Sequence, residues 1–262
     1  MKSLVTATLL ALIPVAQPAL AADKPAIALV HGAWETSQIW DGVARKLERD
    51  GYRVLNINLP GRAGSPKAAG EVTLDLYRST VLGALGREKS PVVLVGHSFG
   101  GITLANVAEA EPSKIKSLVF VAAFVPQDGQ SLLDLATHDS GSQVGPHLQI
   151  QKEAGLAAIE PAARGALFAN DADAGVQKAV AAAVVDEPLA PLATPVHLTA
   201  ARFGAVHKVY IRTARDQVIS PAFQDQMITA AHIGEIEIMP TGHTPFVTDP
   251  AALVAAIEKV AR

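Results

Sequence analysis

Short apolar runs alternating with helical stretches constrain this chain more than any other feature. "PAIALVHG" is followed by "TSQIWDGVARKLERDG", whose apolar residues recur at helical spacing up to Gly51. "YRVLNINLPG" precedes the helical "TLDLYRSTVLGALGR", and "PVVLVG" leads into a helix closed by "NVAEAEP". "IKSLVFVAAF" is a fourth run. Strand runs separated by helices of about 10–15 residues specify βαβ units, and so a parallel sheet covered on both faces. The alternation stops at Val125. It resumes with the strand "HKVYIRT", the helix "SPAFQDQMITAAH", the strand "IGEIEIMP" and the helix "DPAALVAAIEKVAR". Ser220 and Asp249 stand as N-caps, each followed by proline at the first helical position.

The stretch from about 127 to 206 holds short helical patterns such as "AGVQKAVAAAVV" and no strand run of comparable quality. A structureless loop of about 80 residues has no place in a compact domain. The expected fold is therefore α/β: an open, mostly parallel sheet with helices on both faces, carrying a helical cap inserted over 127–206. A chain of 262 residues, 49% apolar, has the material for one such core.

Residues 1–21 read separately. Lys2, the apolar "LVTATLLALIPVA" and the small residues Ala19 to Ala21 form the pattern of a secretory signal peptide cut after Ala21. That leaves residues 22–262 as the α/β domain and places the mature protein in a periplasm or outside the cell. The apolar run is short for a span of about 20 residues and is broken by Pro14 and Pro18, against a stable membrane anchor. The absence of cysteine rules out disulfides, thiolate metal sites, a cysteine nucleophile and a cysteine-linked lipid anchor. A net charge of -3 with no basic stripe gives no footprint for nucleic acid. "NLPGRAGSP" lacks the Gly-Lys-Ser/Thr ending of a phosphate loop. No Gly-x-Gly-x-x-Gly follows the first strand, and no His-Glu-x-x-His occurs, so no cofactor or metal is expected.

Chemistry concentrates at Gly96-His97-Ser98-Phe99-Gly100, where the third strand meets its helix. Ligands of such sheets bind beyond the carboxyl ends of the strands. A strand reversing into a helix within so few residues holds the serine in a strained conformation, and side chains two positions to either side would collide. Ser98 is thus a candidate nucleophile. A serine hydroxyl needs a base, normally a histidine oriented by a carboxylate. His243 follows the last strand at the same sheet edge. His138, His147 and His197 fall in the insertion, His207 and His232 at element ends, and His31 and His97 precede any acid in the chain order serine, acid, histidine. Asp216 follows "VYIRTAR" and is the preferred acid; Asp128 in "VPQDG" is the runner-up, and Asp249 is explained as a cap. The oxyanion donors would be the N–H groups of Phe99 and of Ala33, in the turn His31-Gly32-Ala33-Trp34.

With these residues assembled, the chain resembles α/β-hydrolases of the plant methylesterase and hydroxynitrile lyase group and their bacterial esterase relatives. "LVHGAW", "GHSFGG", "VFVAAFVP", "VYIRTARDQVISPAFQDQM" and "GHTPF" carry the resemblance, which is poor across the insertion. It implies the α/β-hydrolase fold, a Ser98–Asp216–His243 triad, oxyanion donors at Ala33 and Phe99, and a cap over the pocket. It also implies a small-molecule ester substrate and no cofactor. The cyanohydrin-cleaving members resembling this sequence typically place threonine before the oxyanion turn and lysine just after the catalytic histidine. Gly32 and Thr244 occupy those positions here, which favours ester hydrolysis; a lyase or other non-hydrolytic enzyme, or a non-catalytic binder, are the alternatives. Arg164 and Arg202, in the insertion, are expected to be solvated rather than ligand-binding.

Overall fold

In the computed structural model, which describes residues 24–262, the strand runs assemble into a six-stranded sheet; the expected signal peptide lies outside the described residues. In chain order, β1 (Ile27–Val30) is followed by a 3-10 turn (Ser37–Trp40), α1 (Asp41–Arg49), β2 (Val54–Ile57), α2 (Leu74–Leu85), β3 (Val92–His97), α3 (Gly100–Ala110) and β4 (Ile115–Val121). The insertion contributes α4 (Leu132–His138), β5 (Leu148–Gln151), β6 (Leu156–Ile159), α5 (Arg164–Phe168), α6 (Ala174–Ala183), β7 (Glu187–Pro188) and α7 (Leu189–Ala193). Then come β8 (Lys208–Thr213), α8 (Pro221–Ala230), β9 (Glu235–Met239), α9 (Pro245–Thr248) and α10 (Pro250–Ala261). The sheet order is β2-β1-β3-β4-β8-β9, and every neighbouring pair is parallel.

Successive side chains along a strand point to opposite faces, and here both faces are buried. Ala28, Val30, Leu94 and Phe120 pack with Tyr77 of α2, Ile102 of α3 and Phe223 of α8. Ile27, Leu29, Val95 and Val119 pack on the other face with Leu47 of α1 and Leu253 and Ile257 of α10. The helix starts are fixed as their sequence suggests: Ser220 accepts from Phe223 N at 3.2 Å and Asp249 from Ala252 N at 3.1 Å. No helix among the described residues is long and apolar enough to cross a membrane.

The cap departs from the helical expectation. β5 pairs antiparallel with β6, and β6 with β7, making a three-stranded sheet within it. These strands are four, four and two residues long and β7 contains a proline; β6 is apolar, Leu-Ala-Ala-Ile, but too short to stand out within the insertion. Because the main strands are parallel, the loops after β1, β3, β8 and β9 all open at one edge, beneath this cap.

Candidate active site

Ser98 occupies the turn between β3 and α3 with φ +50°, a left-handed conformation uncommon for a residue with a side chain. Its backbone is over-determined. Ser98 N donates to Val121 O at 3.2 Å, and Ser98 O accepts from Gly101 N and Phe124 N, each at 3.1 Å. The glycines answer to packing as well as to the turn. A Cβ at Gly96 would lie 2.6 Å from Leu104 Cδ1, and one at Gly101 only 2.1 Å from Phe124 O. Ser98 is 5% exposed at the end of a cavity of about 40 Å³, walled by Trp34, Phe124, Leu132, Leu192 and Val218.

Asp216 and His243 come together. His243 Nδ1 lies 2.9 Å from Asp216 Oδ2, with both side chains buried. The same carboxylate accepts from Val218 N (2.8 Å) and Ile219 N (3.0 Å) on Oδ1, and from Thr213 Oγ1 (2.9 Å) and Gln224 Nε2 (3.3 Å) on Oδ2. Four donors besides the imidazole hold this carboxylate in one orientation. An acceptor on Nδ1 puts the imidazole proton there and leaves Nε2 its lone pair. The Ser98 hydroxyl makes no hydrogen bond among the described residues, and such contacts are often loose in ligand-free sites. Asp128 lies elsewhere: it accepts from Leu198 N at 2.9 Å and faces the exposed His197 at 3.7 Å.

The turn after β1 leaves one amide free between two that are used. Gly32 N donates to Glu35 Oε2 at 2.7 Å and Trp34 N to Glu187 Oε2 at 3.0 Å, whereas Ala33 N has no acceptor among the described residues. Phe99 N likewise has none. Ala33 and Phe99 are buried, and unpaired buried amides are rare enough to require a reason. A Cβ at Gly32 would stand 2.8 Å from both Ser98 Cβ and Glu35 Oε2, so a glycine lets this turn close onto the serine. Trp34, at φ +60°, is stitched to the cap: besides its N–H, its Nε1 donates to Ala157 O and its carbonyl accepts from Val185 N, each at 2.9 Å.

Two buried ionic groups escaped the sequence reading. His97 Nδ1 meets Glu35 Oε2 at 2.9 Å and its Nε2 meets His243 O at 2.8 Å. Both partners are acceptors, so the ring carries two protons. Burial opposes that charge, but the Glu35 carboxylate and its hydrogen bond outweigh it and raise the imidazole above its ordinary value. Burial likewise works against Glu35, and the charge and hydrogen bond of His97 hold its carboxyl below the usual range. Glu35 and His97 thus tie together the turn at Gly32, the strand end before Ser98 and the backbone of His243. The second group joins cap to core. Glu187 of β7 binds Arg62 Nη2, accepts from Tyr77 Oη at 3.0 Å and takes the Trp34 amide; Arg62 also donates to Glu35 O and Pro60 O. His31 differs from His97. Leu59 N donates to its Nε2 at 3.1 Å, its Nδ1 faces Gly32 O at 2.8 Å, and burial, with Arg62 nearby, pushes its pKa down to about 3.

A model of the alpha/beta hydrolase family matches residues 27–257. The chain belongs to the α/β-hydrolase family. Putative methylesterase 11 of Arabidopsis thaliana is 30% identical over 253 residues, covering 89% of this chain and 63% of that protein. The chain thus spans less than two thirds of that relative's length. A carbendazim hydrolyzing esterase of Nocardioides sp. (strain SG-4G) is 41% identical over 109 residues, 41% of this chain and 45% of that one. An extracellular α/β-hydrolase from a Paenibacillus species shares the fold at a TM-score of 0.79 and 23% identity, covering 91% of this chain and 99% of its own.

Gly32 and Thr244, which depart from the lyase pattern that the resemblance implies, are both tightly placed. The Gly32 contacts leave no room for a threonine there without displacement of Ser98 or Glu35. Thr244 is buried, and its hydroxyl donates to Phe168 O at 2.9 Å, tying the loop after β9 to the cap. Of the two cap arginines, Arg202 is exposed as expected, and Arg164 is partly buried. Arg164 Nε donates to Ile159 O at 2.9 Å, and Arg202 binds the carbonyls of Glu109 and Ala110 at the end of α3. There its charge suits the negative end of the helix dipole.

Proposed function

We propose that this α/β-hydrolase is a serine esterase acting on small carboxylic esters. The observation that carries the reading is the pair of unpaired buried amides, Ala33 N and Phe99 N, beside a strained serine and a buried Asp216–His243 pair. His243 Nε2 takes the proton of Ser98 as its Oγ attacks the ester carbonyl. The two amides receive the developing oxyanion, and Asp216 holds the imidazole and balances the imidazolium. His243 then protonates the departing alcohol, and a water activated by the same ring hydrolyses the acyl-enzyme. The relatives named as esterases support the reaction class, and Gly32 and Thr244 favour hydrolysis over cyanohydrin cleavage. Export to a periplasm or beyond the cell belongs to the same proposal and rests on the pattern of residues 1–21.

The test is Ser98→Ala together with a phosphonate that labels active serines. The parent should be labelled at Ser98 and turn over a simple aryl acetate. The variant should lose turnover by about 10⁶, as other triad enzymes do. Residual turnover near the parent rate, or cyanide release from a cyanohydrin at a rate exceeding ester hydrolysis, overturns it.

A further inference from the structure

One buried ion pair touches the backbone at or beside the oxyanion turn, the serine and the histidine. Gly32 N, one residue before the free amide of Ala33, donates to Glu35 Oε2 at 2.7 Å. His97 precedes Ser98 in the chain, and its Nδ1 meets the same Oε2 at 2.9 Å. Its Nε2 donates to the backbone carbonyl of His243 at 2.8 Å. These three pieces come from three separate loops, and Glu35 with His97 joins them all. The His97 ring is 0% exposed. Its centre lies 4.5 Å from that of His243, and Trp40 and Phe246 stand edge-to-face against it.

The arrangement needs both ring protons of His97. A neutral imidazole has one donor and one acceptor. The Glu35 carboxylate would keep the remaining proton on Nδ1, so a neutral ring would turn the Nε2 lone pair on His243 O. The loop that carries the histidine would then lose its anchor, and a displacement of about 1 Å in such a site costs up to about 10²-fold in rate. The other ionisable groups facing the pair are His243, Asp216, Arg62 and His31. Asp216 supports the His97 charge, Arg62 Nε donates to Glu35 O, and His31 is buried neutral.

We propose that Glu35 and His97 are positioning residues for ester hydrolysis: as a carboxylate–imidazolium pair they fix the oxyanion turn and the His243 loop against the Ser98 elbow, and full turnover requires His97 to hold both protons. This rests on the esterase reading. The pH dependence is then two-sided. Protonation of His243 slows the reaction on the acid side, and loss of the second His97 proton slows it on the alkaline side. Tyr77 and Tyr210 are buried and pushed up, so neither supplies the alkaline limb; Lys208, which burial pushes down, sits at the opposite end of β8 from the site.

The experiment follows kcat and KM for an aryl acetate from about pH 5 to 10 in the parent, Glu35→Gln and Glu35→Ala. It also reads the His97 ring nitrogens by NMR in Ser98→Ala, with and without Glu35→Gln. The parent should give a bell-shaped kcat profile, with both ring nitrogens of His97 protonated at its maximum. Glu35→Gln keeps an oxygen for Gly32 N and His97 but not the charge. Its alkaline limb should move down by about 1–3 pH units, the effect of an adjacent opposite charge, and the NMR transition of His97 should move with it. Glu35→Ala loses the oxygen as well. At its own optimum its kcat should fall about 10–100-fold with KM within about twofold, and Glu35→Gln at its optimum should recover most of that loss. Circular dichroism and melting curves accompany each variant, since a residue that only stabilised the fold would lower the melting point and leave the limb in place. A missing alkaline limb, a limb that Glu35→Gln does not move, or a singly protonated His97 at the optimum refutes the assignment and leaves the esterase reading standing. No turnover and no labelling of Ser98 in the parent sinks the esterase reading, and the positioning role with it, whatever the state of His97.

Discussion

Replacing Glu187 by alanine tests how firmly the cap sets the turn at Ala33. The side chains of Glu187 and Arg62 are both fully buried. Removing the carboxylate strips Arg62 of its counter-charge and leaves the Trp34 N–H without its acceptor. Breaking one side of a buried ion pair costs about 3–5 kcal/mol, because the other charge stays behind uncompensated. In a domain of this size each kcal/mol moves Tm by about 2–4 °C, so the variant should melt about 6–20 °C below the parent. Removing both charges, as Arg62→Met with Glu187→Leu, strands neither. The double variant should therefore recover at least about 2 kcal/mol of the summed single losses. Trp34 holds φ +60° with its amide on Glu187. Releasing it should also lower kcat, by up to the ~10²–10³ that one oxyanion donor supplies. Thermal melts and urea titrations of the parent, Glu187→Ala, and the Arg62→Met and Glu187→Leu variants singly and together, with ester turnover on each, read all three quantities. A Glu187→Ala melting point within about 2 °C of the parent, or strictly additive losses, refutes the reasoning.

Asp216→Asn should reduce kcat about 10⁴-fold, since an amide favours the wrong imidazole tautomer, whereas Asp128→Asn should leave it near the parent value; turnover of an aryl acetate separates them. His31 is buried neutral with a pKa pushed down to about 3, while the unfolded chain protonates it near 6.5. Between those values the unfolded state binds the extra proton, so stability falls as pH falls, by about 1.4 kcal/mol per unit from this residue. Urea midpoints across pH 3.5–6.5 should be correspondingly less steep in His31→Gln, and an unchanged slope would count against it. Gly32→Thr places a Cβ 2.8 Å from Ser98 Cβ and should slow phosphonate labelling of Ser98 as well as turnover; labelling at the parent rate would show that the turn yields.

What the chain reveals without coordinates follows the range of its interactions. β1, β3, β4 and β8 are buried on both faces and announce themselves as apolar runs, and Ser98, Asp216 and His243 each follow a strand end at one edge. Glu35 with His97 and Arg62 with Glu187 are separated by 62 and 125 residues, and no local pattern links them. Arg62 sits in the segment "NLPGRAGSP" and Glu187 in the insertion, and neither stretch carries a local mark of a buried charge. A clue to the first pair was available, since His97 and the turn holding Glu35 both flank the site. The cap strands stayed hidden because they pair with one another at two to four residues each, too few to show alternation.

The stitching of Trp34 to Ala157, Val185 and Glu187 bears on how a substrate enters. A cap that swung away as a rigid lid would have to part Glu187 from a fully buried Arg62. At about 3–5 kcal/mol, that opening would be populated in less than about 1% of molecules at any moment. Access to Ser98 is better served by side-chain movement than by a hinge. The same bond limits the exchange of parts between relatives. A cap transplanted without its glutamate would bury a lone guanidinium in the recipient core, so cap and core have to be inherited, or engineered, as one piece.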